Sequence, residues 1–167
     1  AASDVYKRQA VNAALYRSIL PAENILLVNT PTRYNSELTK GLAAELAKNL
    51  GCQLLTVPIG DFIDETADAL EGLPLPDDTV HLTGFMKENM QARDRSSRIL
   101  AALSAAFGGI FTCNANKTET TVGYGTLYGD LAGAFAATAD LWKYQIYDLG
   151  RKLNAWYGSC LLYTSDA

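Results

Sequence analysis

The sequence predicts an α/β fold, an open, doubly wound and mostly parallel sheet with helices on its faces, and three observations carry that expectation. Ile25-Leu-Leu-Val28 and Gln53-Leu-Leu-Thr-Val57 are short apolar runs that do not alternate with polar residues, the pattern of strands buried on both sides. Between them Leu38, Leu42, Leu46 and Leu50 recur every four residues, so residues 25 to 57 read as one right-handed βαβ unit. Ile110-Phe111-Thr112, entered through the helix-breaking pair Gly108-Gly109, reads as a further buried parallel strand with a long polar run at its carboxyl end. In open α/β sheets that end of the strands is where ligands bind, because the loops there converge on a crevice flanked by helix N-termini.

The remaining elements follow in order. Ala10 to Leu20 is helix-like, with Val11, Ala14, Leu15 and Ile19 on one stripe and Pro21 as its stop. Thr30-Pro-Thr-Arg-Tyr-Asn-Ser36 is a turn into the second helix, which Asn35 or Ser36 caps and Gly51 ends in a left-handed conformation. Asp61 to Leu70 is a short acidic helix with Phe62, Ile63, Ala67 and Leu70 facing inward. Glu71-Gly-Leu-Pro-Leu-Pro-Asp-Asp78 is a loop, since two prolines and a glycine cannot continue a helix, and its paired aspartates read as a solvated turn rather than a metal site. His81, the single histidine, has no partner set for a metal. Phe85 to Phe107 is the long helix, with Met86, Met90, Leu100, Leu103 and Phe107 as its core stripe and Lys87, Arg93, Arg95 and Arg98 as a positive field. Asn89 and Arg93 share a face, and Asp94 with Arg98 has the spacing of a helical ion pair. Asp140 to Leu149 is again amphipathic, with Leu141, Ile146 and Leu149 toward the core.

The 167 residues, 49% of them hydrophobic, are enough for one domain with a core. A net charge of -4 without a basic stripe argues against nucleic acid or an anionic membrane as the main partner. The 3 cysteines, Cys52, Cys113 and Cys160, have neither metal-ligand spacing nor an even count, which points to a reducing, cytoplasmic setting. No apolar run approaches the ~20 residues of a membrane span.

The densest chemistry lies between Thr112 and Asp130, where Lys117, Glu119, Asn114, Asn116, several hydroxyls and Gly123, Gly125 and Gly129 fall in one stretch. The glycines let backbone approach a bulky ligand, and Tyr124 and Tyr128 offer flat faces for a ring or ribose. A plainer reading stays open beside this one: Asn116 caps a helix, Glu119 folds back as its capping box, and the glycines serve turns.

As a whole, Asn116-Lys-Thr-Glu-Thr-Thr-Val-Gly-Tyr-Gly-Thr-Leu-Tyr-Gly-Asp130, with Asp140-Leu-Trp-Lys143, Pro31-Thr-Arg-Tyr-Asn-Ser36 and Glu88-Asn-Met-Gln-Ala-Arg93, resembles the NAD synthetase family, most closely its glutamine-dependent branch. The resemblance implies an adenine nucleotide alpha-hydrolase-like fold of the N-type ATP pyrophosphatases, truncated here at both ends, and amidation of deamido-NAD to NAD through an adenylated nicotinate. It implies ATP and Mg²⁺, with Glu119 on the metal and Glu119 and Lys143 as the catalytic pair. Thr30, Arg33, Thr112, Asn114 and Lys143 fall on its ATP positions. Asn89, Arg93, Glu119, Tyr124, Gly125, Thr126, Leu127 and Asp130 fall on its deamido-NAD positions.

Three departures shape the transfer. Asn114 stands where the family often has a threonine, with Thr112 two positions earlier, and Ala134 and Leu127 replace an aspartate and a lysine of the ammonia-dependent branch. The last two favour the glutamine-dependent branch, whose separate upstream glutaminase domain supplies ammonia and whose members form homo-oligomers. The family's pyrophosphate loop, Ser-Gly-Gly-x-Asp-Ser, would precede Ala10 and is absent. Residues 10–158 are thus expected to be a partial synthetase domain, 1–9 and 159–167 non-native tails, and the 167-residue chain inactive by itself. The competing readings are another ATP-pyrophosphatase-type amidotransferase, such as a GMP synthetase, and a nucleotide-binding module without turnover.

Overall fold

In the computed structural model the described residues are 2–32 and 37–158, with side chains from 9 to 32 and from 41 to 158. Arg33 of the expected ATP set, the caps at Asn35 and Ser36, and the segment 159–167 lie outside them. In order come α1 (Ala2–Arg17), β1 (Leu26–Asn29), α2 (Glu37–Leu50), β2 (Gln53–Thr56), α3 (Gly60–Leu70), α4 (Gly84–Arg93), a π-helical segment (Asp94–Leu100), α5 (Ala101–Phe107), α6 (Lys117–Val122) and α7 (Lys143–Tyr157).

The βαβ unit forms as the leucine spacing dictates. β1 and β2 pair in parallel from Leu26↔Gln53 to Asn29↔Thr56, and the amide of Val57 extends the ladder to the carbonyl of Asn29 at 2.8 Å. Gly51 closes α2 at φ 69°, the left-handed stop. β1 starts one residue late, after a 3-10 turn at Ala22–Asn24, and its four side chains are partly rather than fully buried.

The core lies where α1 and α7 cross the end of α2. Val11, Ala13, Ala14, Leu50, Cys52, Ile146 and Leu153 form one buried cluster, with Leu153 and Ala14 at 0% exposure. Arg17 locks the corner, donating to the carbonyls of Leu50 (3.1 Å) and Leu20 (3.0 Å), a cation on helix-terminal carbonyls.

Several expectations are corrected. α1 begins at Ala2 and ends at Arg17, short of Pro21, and Ile19 is 72% exposed in the turn that follows. Phe62 and Leu70 are exposed rather than inward, and the Phe62 ring instead carries Arg98, whose guanidinium carbon sits 4.3 Å from the ring centroid. The long helix is interrupted by the π segment, within which Ile99 is buried, and Met86 and Phe107 on either side of it are exposed rather than in the core. Ile110-Phe111-Thr112 does not become a strand: Ile110 is 68% exposed, and the pairing shrinks to one parallel bridge, Thr112↔Phe135. The last helix begins at Lys143 rather than Asp140, since Trp142 takes the cap position and its amide is held by the Gln145 side chain.

Candidate functional site

The polar run after residue 112 is anchored first by its own helix. The Asn116 side chain, almost fully buried, accepts from the amide of Glu119 at 3.0 Å, and a Glu119 carboxylate oxygen accepts from the amide of Asn116 at 3.1 Å. This reciprocal capping box is the plainer reading of the motif, and it forms. It leaves Glu119 partly buried at the head of a six-residue helix that ends at Gly123.

That head meets the head of α7. The amide of Lys117 donates to the carbonyl of Leu141 at 3.0 Å, the amide of Lys143 donates to the Thr118 hydroxyl at 3.1 Å, and the Lys117 ammonium lies 4.9 Å from the centre of the Trp142 ring. Two helix starts, each carrying amide dipoles of the same sign, therefore stand side by side with two lysines, a setting that favours anions. Behind them, buried Asn12 of α1 donates to the Thr138 hydroxyl (3.1 Å), which donates to the carbonyl of Ala115 (3.3 Å). This pins α1 to the segment just ahead of Asn116.

The later half of the run is clasped by α4 and the π segment. Thr126 donates its hydroxyl to Asn89 at 2.7 Å, Arg93 donates from Nε to the carbonyl of Leu127 at 3.2 Å, and Ser97 donates to the carbonyl of Tyr128 at 2.5 Å. Asp130 closes the turn by accepting the Thr126 amide at 2.7 Å. Gly129 is buried because the loop lies directly on the helix: a methyl there would come 3.0 Å from the Ala92 side chain. Tyr128 is held at φ 61°, a left-handed conformation that a side chain disfavours.

Of the residues singled out by sequence, the structure brings Asn89, Arg93, Thr126, Leu127 and Asp130 into one contact network. A second network joins Glu119, Asn116 and the backbone of Lys143 through Thr118, and the Tyr124 amide on the carbonyl of Glu119 (2.9 Å) connects the two. Thr112 and Asn114 touch only weakly, at 3.4 Å. Tyr124 (74%) and Leu127 (67%) point to solvent, and Thr30 is partly buried just past the carboxyl end of β1. Arg98, counted in the positive field, is committed to buried Asp94 with two hydrogen bonds, which raise its pKa further. Among the described residues no three acids, histidines or cysteines gather as a metal cluster. No helix among them is long and apolar enough to cross a membrane.

Ser97, Asn12 and Thr138 escaped the sequence reading. Ser97 carried no signal that an α-helical reading could use, because eight residues past Asn89 an α-helix has turned ~80° away; buried Asn12 and its partner Thr138 carried none either.

Comparison with known proteins places the chain in a family. The description NAD synthase matches residues 8–158. A glutamine-dependent NAD(+) synthetase of Thermotoga maritima is 38% identical over 149 residues, covering 87% of this chain and 24% of the relative. One of Synechocystis is 40% identical over 142 residues, covering 85% of this chain and 25% of the relative. Among solved structures, the glutamine-dependent NAD+ synthetase of Acinetobacter baumannii in complex with ADP superposes with a TM-score of 0.82 at 30% identity, covering 92% of this chain and 28% of the other. The chain thus spans about a quarter of the length of the curated relatives it matches. A match over nearly all the described residues, with the α/β fold in common, shows that this chain belongs to the NAD synthase family.

Proposed function

We propose that residues 10–158 are part of the synthetase domain of a glutamine-dependent NAD(+) synthetase, a ligase that amidates deamido-NAD at the expense of ATP. The observation that carries the reading is the clasp of Asn89 and Arg93 on Thr126 and Leu127, inside a segment matched end to end by the family.

A carboxylate resists attack by ammonia, so the nicotinate carboxylate is first adenylated by ATP with loss of pyrophosphate, and ammonia then displaces AMP. The residues divide by charge. Lys143, beside the paired helix starts, neutralises phosphate charge as it grows. Thr30, Arg33, Thr112 and Asn114 fall on the ATP positions of the family. Asn89 and Arg93 hold deamido-NAD, and the backbone of Tyr124, Gly125, Thr126 and Leu127 with Asp130 walls its pocket, which fixes geometry and excludes water. Mg²⁺ supplies charge neutralisation on the phosphates when bound. One carboxylate, that of Glu119, suits this ion, which takes most of its oxygens from phosphate and water. Ammonia comes from an upstream glutaminase domain, the enzyme works as a homo-oligomer, and a reducing cytoplasm suits the free thiols Cys52 and Cys113.

The test uses the intact enzyme that carries this chain. Arg93→Ala is expected to raise KM for deamido-NAD by tenfold or more, about 1.4 kcal/mol of lost binding, with KM for ATP changed less than twofold. An unchanged KM for deamido-NAD removes Arg93 from the site. No NAD from deamido-NAD, ATP and glutamine would favour a binding module without turnover.

A further inference from the structure

Nothing in the chemistry proposed above uses Ser97 or explains why the long helix breaks into a π segment at that point. The two features explain each other. In an α-helix each residue advances about 100°, so Arg93 stands ~40° round from Asn89, and an unbroken α-helix would carry Ser97 to ~80°, away from the loop. A π segment, bonded from i to i+5 at about 4.4 residues per turn, falls ~33° short over four residues and brings Ser97 back to within ~10° of Asn89. The π segment begins at Asp94, immediately after Arg93. The result is three polar side chains in one row, meeting three successive loop residues: Asn89 on Thr126, Arg93 on Leu127 and Ser97 on Tyr128. The third contact falls on the strained position, since Tyr128 is the only non-glycine residue at positive φ among those described.

We infer that Ser97 is a positioning residue: the π segment turns it into register with Asn89 and Arg93, and its bond to Tyr128 fixes the loop wall against which the dinucleotide is bound. The inference rests on the deamido-NAD reading of that loop. Ser97 itself is exposed, so its removal opens no core cavity.

The experiment pairs a structural readout with a kinetic one, using Ser97→Ala and the hydroxyl-retaining Ser97→Thr. Amide hydrogen exchange over residues 124–131 is expected to quicken about tenfold in Ser97→Ala and to return in Ser97→Thr, with residues 84–93 unaffected. In the intact enzyme, KM for deamido-NAD is expected to rise about fivefold, with kcat and KM for ATP held and Ser97→Thr recovering the loss. Unchanged loop exchange in Ser97→Ala overturns the positioning role. Faster exchange with an unchanged KM for deamido-NAD upholds the latch but overturns the assignment of that loop to the dinucleotide.

Discussion

Glu119 serves two masters, and a single substitution separates them. Its carboxylate completes the capping box on Asn116, a duty that glutamine performs as well, and it also brings a negative charge to the head of α6. Glu119→Gln is therefore expected to keep the stability of the chain within ~0.5 kcal/mol by urea unfolding, while NAD synthesis by the intact enzyme falls about a hundredfold or more. A proportionate loss of both would reduce the residue to its cap. Asn116→Ala, by contrast, is expected to cost about 1 kcal/mol, because it removes the side-chain oxygen that accepts from the Glu119 amide. Glu71 offers a readout in pH. The amide of Leu82 first, and then the His81 ring, holds its carboxyl below the ordinary carboxylate range. A carboxylate whose folded pKa is depressed contributes stability above the unfolded value and loses it as pH falls through the folded one. The gap in unfolding midpoint between the wild type and Glu71→Gln is thus expected to be present at pH 7 and to close as pH falls through and below the ordinary carboxylate range. At this scale the sequence was generous with caps, which are local, and silent on Asn12 with Thr138, whose bond spans 126 positions.

Elements read best where one face is repeated. The four-residue leucine spacing of α2 and the two apolar runs beside it produced the parallel pair with Gly51 as its stop, since local periodicity and parallel pairing agree there. The reading failed where a long-range contact decides. Residues 110–112 have strand composition, yet pairing needs a partner, and among the described residues Phe135 alone bridges to them. That single bridge depends on Gly133, at φ 145°, where an added methyl would fall 2.3 Å from the amide nitrogen of Cys113. Gly133→Ala is expected to destabilise the chain by about 3 kcal/mol or more, through backbone strain joined to a steric clash, measured by denaturant unfolding. A loss under ~1 kcal/mol would show the bridge to be dispensable. The π segment was illegible for a related reason. No residue type announces it, and it shows only through what it aligns. Periodicity alone points Phe62 and Met86 inward, and both are exposed, Phe62 with the Arg98 guanidinium over its ring.

Across the whole molecule, the core and the candidate site share supports. α7 contributes Ile146 and Leu153 to the buried cluster and the Lys143 amide to the Thr118 hydroxyl at the head of α6, while α1 contributes Val11 and Ala14 to the cluster and Asn12 to the bond with Thr138 behind that head. Leu153→Ala, at a fully enclosed position, is expected to cost about 2–5 kcal/mol in urea unfolding and to loosen the approach to Lys143 with it. The run from Asn116 to Asp130, with the shorter motifs at 31–36, 88–93 and 140–143, was enough to point to the family, and the matched span and superposition bear that out. The convergence of distant residues was less legible, because Arg93 and Leu127 are 34 positions apart and meet only through the packing of the loop on α4. The most direct measurement is a titration of this chain with deamido-NAD followed by amide and arginine side-chain NMR shifts. The account predicts saturable shifts centred on Asn89, Arg93 and residues 126–129. Saturable shifts that leave those residues still, or no shifts up to about 10 mM ligand, an affinity weaker than about 3 kcal/mol, would contradict it.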